Sequence, residues 1–172
     1  MNELFDKLII RMILAMFVLL IFVIYKYAPL LIFPKSKKII LKKVYPTKNI
    51  AHSIHLFSRL LGIGIIFSEF SFALSDGVVV SLIDFSINTT ATFTMYFLNI
   101  YILESIVLYN FSFEDEIHKR KNLSYSIISL TIAISSAFIL RKIFIISDGS
   151  LVNLSFLWLF SCVLLGFATK TF

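Results

Sequence analysis

The sequence is poor in the residues that build disulfide frameworks, turns and charged surfaces. Its 172 residues include one cysteine, three prolines and five glycines, and only 15% of them are charged. The single cysteine, Cys162, excludes a disulfide framework or a cysteine-based metal site within one chain. So few prolines and glycines leave room for little loop. Since a soluble domain usually carries about a quarter charged residues, this composition argues against one.

Apolar residues are abundant instead. They make up 59% of the chain, and the mean hydropathy is +0.93. A membrane span needs about 20 apolar residues, and in lipid the backbone must satisfy its own polar groups, which favours helices. The predicted fold class is therefore all-α, a polytopic membrane protein with five transmembrane helices. The predicted spans cover roughly residues 8–25, 50–74, 79–108, 123–146 and 151–169.

Two parts of the sequence are near copies of each other. Lys48-Asn49-Ile50 reappears 73 residues later as Lys121-Asn122-Leu123, and Ser75-Asp76-Gly77 reappears as Ser147-Asp148-Gly149. A long apolar segment follows each motif. The sequence thus predicts one leading span and two parallel two-helix repeats. The predicted domains are an N-terminal transmembrane anchor (1–33), a basic cytoplasmic interfacial segment (34–47), a first two-helix repeat (48–110) and a second one (111–172).

The repeated motifs predict where helices begin and turn. Asn49 and Asn122 precede apolar segments, and asparagine caps helices well because its side chain accepts a bond from an orphan backbone N–H. In the Ser-Asp-Gly turns we expect glycine to supply permissive backbone and aspartate to cap the next helix. The acid-then-base run from Glu114 to Lys121 is predicted to start a helix, with its charges ordered along the helix dipole.

Basic residues predict the orientation. With five spans, eleven lysines and arginines lie on one side: seven from Lys26 to Lys48, three from Lys119 to Lys121, and Lys170. The positive-inside rule assigns that side to the cytoplasm, so the N-terminus is predicted outside and the C-terminus inside.

The basic segment between the first two predicted spans is typical of a short interfacial element on an anionic leaflet. Its simpler role is to orient the first span, and its sharper role is to dock a cytoplasmic partner. The candidate residues for lipid or partner docking are Lys35, Lys37, Lys38, Lys42 and Lys43.

Polar residues inside the predicted spans are the candidate functional residues, because charge in lipid is unfavourable. Helix rise sorts them into three layers. The candidate intramembrane polar network consists of Glu69, Asp84, Arg141 and Lys142 near the outer face, Arg59 and Asn99 at mid-depth, and His52, His55 and Glu104 toward the cytoplasm.

The repeat and the helix period suggest partners for these side chains. Glu69 is the repeat equivalent of Arg141 or Lys142, which favours an ion pair between the halves over an ion or proton relay. His52, His55 and Arg59 share one stripe of the second span, so this face is predicted to turn away from lipid. Arg59 must then find Asn99, Glu104, a neighbouring subunit or water.

Catalytic motifs are absent from the sequence. It has no phosphate-binding glycine loop, no nucleophile elbow and no His-Glu-x-x-His. The His52–His55 pair has no third ligand beyond Glu104, so we predict no metal. We expect no enzyme, no cofactor and, because the basic residues flank apolar spans, no nucleic acid as a partner.

The stretch Asn49-Ile-Ala-His-Ser-Ile, then Leu60-Leu61-Gly62, and a charged connector ending in Asn122 resembles the bacterial inner-membrane family labelled domain of unknown function 350. The resemblance covers roughly residues 10–146 and implies a multi-pass protein of the bacterial inner (plasma) membrane. It brings no established activity. Arg59 and Glu69 stand in helices that are usually rich in small residues, which leaves close helix packing there an open question.

Two functions stay open. The first is a non-enzymatic structural or assembly subunit of an oligomeric or multi-protein membrane complex, which predicts that the stripe of the second span is buried against another helix. The second is a subunit of an ion or proton channel or transporter, which predicts a hydrated cavity. Mixed, nearly compensating charges favour the first. The expected partners are anionic membrane lipids, further copies of the chain or other membrane subunits, and a cytoplasmic protein.

Overall fold

The computed structural model describes residues 8–17, 19–21, 23, 49–70, 78–148 and 150–171. These residues form helices and short connections, with no strand among them. The chain divides into two compact units, Met1–Lys48 and Asn49–Phe172. The described part of the first unit contains a short apolar helix, α1, within Leu8–Ile21. The basic segment 34–47, with its five candidate docking lysines, lies outside the described residues.

In the second unit, the described residues form four long helices: α2 (Ile50–Phe67), α3 (Val78–Val107), α4 (Leu123–Ser147) and α5 (Leu151–Thr171). By length and composition, all four can cross a membrane. They correspond to the second through fifth predicted spans, although α2 ends at Phe67. Because α1 is shorter than these helices, the count of five spans stays a prediction.

Both predicted asparagine caps are confirmed. The Asn49 side chain accepts a hydrogen bond from the His52 N–H at 3.3 Å, and that of Asn122 accepts from the Ser124 N–H at 3.0 Å. Each amide also donates to the connector between α3 and α4. Asn49 Nδ2 lies 2.7 Å from the Ile117 carbonyl oxygen, and Asn122 Nδ2 lies 2.7 Å from Glu116 Oε2. The two caps therefore fix the starts of α2 and α4 to one connector.

The acid-then-base run is helical, as predicted, but it does not continue into α4. It forms a separate π-helical turn, Glu114–Lys119, and Lys121 then takes a left-handed conformation with φ of 52°. The Asn122 N–H donates to the Glu116 carbonyl at 2.8 Å, which closes the turn before α4 begins. On its exposed side, hydrogen bonds from Lys119 and Ser112 lower the pKa of the Asp115 carboxyl.

The turn after α4 also differs from the prediction. Asp148 does not cap the next helix but ends α4 in a left-handed conformation, with φ of 48°. The hydroxyl of Ser150 lies 3.5 Å from the Asn153 backbone nitrogen, in the capping position at the start of α5. Aspartate tolerates the left-handed region better than most residues, which explains why it can end the helix. The matching turn, Ser75-Asp76-Gly77, lies outside the described residues.

Helices α2 and α4 run parallel and pack through small side chains. Both begin at the connector, and their other ends are joined by Glu69 and Arg141. Small residues let helix backbones approach closely, as is common between helices in membranes. The buried small residues of these helices are Ala51, Ser58 and Gly62 on α2 and Ser126, Ser129, Ala133, Ser136, Ala137 and Ser147 on α4.

Helix α3 packs against α2 through large rings instead. Phe67 of α2 contacts Phe85 and Phe93 of α3, with ring centroids 6.2 and 6.3 Å apart. Nearer the connector, the Tyr96 hydroxyl donates to the Arg59 carbonyl at 3.5 Å and lies over Gly62. A Cβ added at Gly62 would clash with that hydroxyl oxygen. Glycine at this position is therefore a packing requirement of the aromatic interface.

Candidate functional site

Arg59 occupies the centre of a polar cluster between α2, α3 and α4. Its side chain is 4% exposed. Nη2 lies 2.5 Å from Glu104 Oε1, and Nη1 donates to the Ser129 hydroxyl at 2.8 Å and to the Ser129 carbonyl at 3.2 Å. A further bond of 3.0 Å joins Nη1 to the Ser58 hydroxyl. The predicted burial of this face of α2 is thus observed, and of the partners left open, Glu104 is the one bound.

The direction of side chains on a helix explains why Arg59 meets Glu104. Side chains lean toward the N-terminus of their own helix. Arg59 therefore reaches toward the start of α2, whereas Glu104, on the antiparallel α3, leans the opposite way. The two charged groups meet although their Cα atoms lie at different depths.

Ser129 joins Arg59, Glu104 and His55 into one network. Its hydroxyl donates to Glu104 Oε1 at 2.5 Å and lies 2.9 Å from His55 Nδ1. A hydroxyl has one hydrogen to donate and two lone pairs to accept with. Because Glu104 takes the hydrogen and Arg59 donates to one lone pair, we assign the proton of the imidazole to His55 Nδ1, which donates to the other.

The neighbours of His55 close the cluster toward the connector. The side chain is buried, and its ring centroid lies 4.7 Å from that of Phe113. The Ser58 hydroxyl donates to the His55 carbonyl at 2.6 Å. Close packing at Arg59, an open question from the sequence, is therefore compatible with the arginine, because the guanidinium bonds directly to the α4 backbone.

A second ion pair lies at the opposite end of α2 and α4. Glu69 accepts hydrogen bonds from Nε and Nη2 of Arg141, as the repeat predicts. The Glu69 and Arg141 side chains are 23% and 38% exposed, far more than Arg59. Lys142, the alternative partner, lies exposed on α4.

The other candidate residues do not join either pair. Asn99 is buried but accepts from the Cys162 thiol, at 3.0 Å from sulfur to Oδ1, and so ties α3 to α5. Asp84 is exposed on α3. His52 lies half-buried in the first turn of α2, where its backbone is held by Asn49.

Ser58 and Ser129 belong to the site, and the charge-based search of the sequence missed them. Neither is titratable, so a search for charges inside the spans passes over them. The signal that points to Ser129 is the run of small residues on one face of α4. Such faces mark close helix contacts in membranes, where serine hydroxyls bond across helices.

The chemistry of the cluster is that of charge compensation. One buried guanidinium faces one carboxylate, Arg59 donates further bonds to the hydroxyls of Ser58 and Ser129, and the Ser129 hydroxyl donates to Glu104. Among the described residues, no group of three or more histidines, cysteines or acids is placed to hold a metal ion.

Comparison with known proteins assigns the chain to a family. A model of the family described as Domain of Unknown Function (DUF350) matches residues 3–144. No curated protein and no solved structure matches the chain. The matched residues include α2, α3 and most of α4, and therefore the whole Arg59 cluster. The resemblance inferred from the sequence is confirmed, and the chain belongs to the DUF350 family.

Proposed function

We propose that the chain is a non-enzymatic, multi-pass structural or assembly subunit of a membrane complex. The observation that carries this proposal is the hydrogen bonding of the buried Arg59. Glu104 compensates its charge, and Nη1 donates to two serines. A polar stripe that serves packing should be buried against other helices in this way, whereas a conducting stripe should line a hydrated cavity.

Energetics support a packing role. Removing charges from water is unfavourable, and a buried pair is tolerated only when geometry and additional hydrogen bonds compensate each group. Once formed, such a pair makes the alternative arrangements of the same helices unfavourable, because they would strand a charge in apolar surroundings. We infer that the cluster specifies how α2, α3 and α4 fit together.

The proposed topology has five spans in the bacterial inner membrane, with the N-terminus outside and the C-terminus in the cytoplasm. It is supported by the connector, where Lys119, Arg120 and Lys121 are exposed at the end of the bundle that also holds Asn49. The lysine-rich segment 34–47 ends two residues before Asn49 in the chain. Both basic regions would then face the cytoplasm, in agreement with the positive-inside rule.

We also propose that α2–α3 and α4–α5 are copies of one hairpin. The support is the spacing of contacts between α2 and α4. His55 meets Ser129 at a sequence separation of 74, and Glu69 meets Arg141 at 72. Both separations are close to the 73-residue offset of the Lys-Asn motifs. Parallel copies related by a pseudo-two-fold axis bring equivalent residues together in this manner.

The proposed partners are anionic lipids and a cytoplasmic protein at the lysines of segment 34–47, and further membrane subunits, including other copies of the chain. A pull-down from solubilised membranes tests the cytoplasmic partner. If Lys37, Lys38, Lys42 and Lys43 are replaced by glutamine, capture should fall. Undiminished capture rejects docking at these residues.

The alternative function is a proton pathway. It is favoured by one observation: His55, Ser129 and Glu104 form a continuous hydrogen-bonded chain between α2, α4 and α3. In this alternative, Glu104 and His55 exchange protons through the Ser129 hydroxyl, and Arg59 sets the field around them.

Flux through proteoliposomes separates the two functions. We expect vesicles with the wild-type chain to leak protons no faster than protein-free vesicles, both before and after Glu104→Gln. The same variant should be less stable, since it removes the charge that compensates Arg59. Proton flux in the wild type that Glu104→Gln abolishes, while its helix content by circular dichroism is retained, would reject the structural function.

Cysteine labelling tests the topology. In a Cys162→Ser background, which keeps a donor for Asn99, cysteines are placed singly at residues 40, 121 and 148. An impermeant maleimide applied from the outside should label position 148 and spare 40 and 121. Labelling of 40 and 121 from opposite sides would refute five spans.

A further inference from the structure

Two charged residues inside the helices, at the end of the bundle opposite the connector, are exposed and form no ion pair with a described residue. Asp84 of α3 and Lys142 of α4 form no ion pair with any described residue, whereas the neighbouring Glu69 and Arg141 pair with each other. Asp84 lies about 9 Å from the start of α3 and Lys142 about 7.5 Å from the end of α4 by helix rise. Both therefore lie within helices able to span a membrane.

Aromatic contacts show that the two residues lie at the same level. The ring of Phe70 contacts Phe85, next to Asp84, at a centroid distance of 5.8 Å. It also contacts Phe144, two residues after Lys142, at 4.6 Å. Asp84 and Lys142 thus flank one aromatic layer.

Apolar side chains surround both charges on the exposed surface. Val80, Ile83 and Ile87 are exposed around Asp84, and Phe138, Ile145 and Ile146 are exposed around Lys142. A lysine can extend its ammonium along such a surface toward the headgroups, but a short aspartate has less reach. The Asp84 carboxylate therefore needs a compensating cation at its own depth in the membrane.

We infer that Asp84 of one copy pairs with Lys142 of a second copy, and that the exposed faces of α3 and α4 form the interface. This inference rests on the proposed function as a subunit of a membrane assembly. Copies inserted in the same orientation are related by an axis along the membrane normal, which keeps equivalent depths aligned. Asp84 and Lys142 then meet at one level, inside a rim of apolar side chains. The pair forms twice in a two-fold dimer and once per interface in a ring.

Charge reversal tests the interface. Donor- and acceptor-labelled full-length copies are reconstituted in phosphatidylcholine–phosphatidylglycerol vesicles, and energy transfer is followed over a series of protein-to-lipid ratios. Like charges placed opposite each other oppose association strongly. We expect Asp84→Lys alone and Lys142→Asp alone to lower the association constant at least roughly tenfold. The matched control is Lys121→Asp, an equal charge reversal at the connector, which should leave association unchanged.

Rescue distinguishes the pair from a general effect of charge. The double variant Asp84→Lys/Lys142→Asp should associate as well as the wild type, to within about threefold. A one-to-one mixture of the two single variants should associate too, because each contact then joins a lysine to an aspartate, whereas each variant alone does not. Misfolding of a single variant would not produce this mutual rescue.

The outcomes also separate this inference from the proposed function. If the single variants associate as the wild type does, or if the mixture shows no rescue, the Asp84–Lys142 interface is wrong while the structural role of the Arg59 cluster stands. A wild-type chain that shows no energy transfer at any ratio overturns the interface as well. The flux measurement on Glu104→Gln does not involve either residue and decides the proposed function by itself.

Discussion

The bundle contains the same kind of ion pair at two levels, and the two pairs differ in their surroundings. Arg59 and Glu104 are 4% and 19% exposed and share Ser129 as a common partner. Arg141 and Glu69 are 38% and 23% exposed, and within the described part of the chain their side chains bond to each other and to no third side chain. The inner pair, Arg59–Glu104, joins α2 to α3 and, through Ser129, to α4. The outer pair, Arg141–Glu69, joins α2 to α4 alone.

The difference indicates that burial and additional hydrogen-bond partners, rather than the identity of the two residues, determine how much an ion pair contributes to the free energy of unfolding. Glu69 lies two residues beyond the end of α2, where water and salt at the membrane surface reach its pair with Arg141, and a pair screened in this way contributes about 0–1 kcal/mol. Removing one partner of a buried pair costs about 3–5 kcal/mol, because the other charge is left without compensation. The same substitution should therefore have very different consequences at the two levels.

The largest effect is expected at the inner pair. Among the described residues, Glu104 is the one carboxylate bonded to Arg59, so Glu104→Ala removes it and leaves the Ser129 hydroxyl without its acceptor. We expect it to lower the free energy of unfolding by about 3–5 kcal/mol, measured by denaturant titration in mixed micelles. Adding Arg59→Met to this variant should recover part of the loss, because the stranded charge is then gone. A loss below that of the corresponding outer variant would break the comparison.

A smaller loss of stability is expected at Gly62, where α2 packs closely against Tyr96 of α3. Gly62→Ala places a methyl group against the Tyr96 hydroxyl, and Tyr96 is fully buried. Overpacking of this kind costs about 1–3 kcal/mol. The matched control is Gly64→Ala on the same helix, where no atom lies within 4 Å of the added group. Equal stabilities of the two variants would show that α2 and α3 are not packed as closely as described.

The next largest loss of stability is expected at the helix cap Asn122. Asn122→Ala removes both a helix cap and a bond to Glu116, and we expect a loss of about 1 kcal/mol. Asn122→Asp keeps the capping oxygen but loses the donor, and its negative charge would face Glu116. It should therefore not restore stability. Hydrogen exchange of the first turn of α4 measures the effect locally, and unchanged protection in Asn122→Ala would contradict the role of the cap.

The smallest effect is expected at the outer pair. Glu69→Gln should lower the free energy of unfolding by about 0.2–1 kcal/mol at low salt. Raising the salt concentration should reduce this difference, since partly exposed charges are screened, and should leave the effect of Glu104→Ala nearly unchanged. A salt-insensitive loss at Glu69 as large as that at Glu104 would remove the distinction between the two levels.

Much of the fold follows from the sequence because it depends on local properties. Apolar length predicts α2 to α5, and the position of asparagine before an apolar run predicts both caps. The repeat offset predicts that Glu69 pairs with Arg141 or Lys142, and Arg141 is the partner observed. These features need only helix geometry and the chemistry of single residues.

The remaining features depend on contacts between distant residues. Helix rise places Arg59 level with Asn99, yet its long side chain reaches Glu104, and Asn99 binds Cys162 instead. The charge order of Glu114–Lys119 is that of a helix start. The run is held as a separate π-helical turn by hydrogen bonds from Asn49 and Asn122, which are distant contacts that the charge order does not reveal. Ser129 carries no charge, so its importance appears only when α2 and α4 are placed side by side.

A double-mutant cycle on each pair tests the central claim most directly. The cycles use Arg59→Met with Glu104→Ala, and Arg141→Met with Glu69→Ala, and compare coupling energies from unfolding titrations under one condition. We predict a coupling of about 2–3 kcal/mol for the inner pair and below about 1 kcal/mol for the outer pair. Equal couplings at the two levels, or a larger one at the outer pair, would contradict the claim that the buried Arg59 cluster holds the helices together.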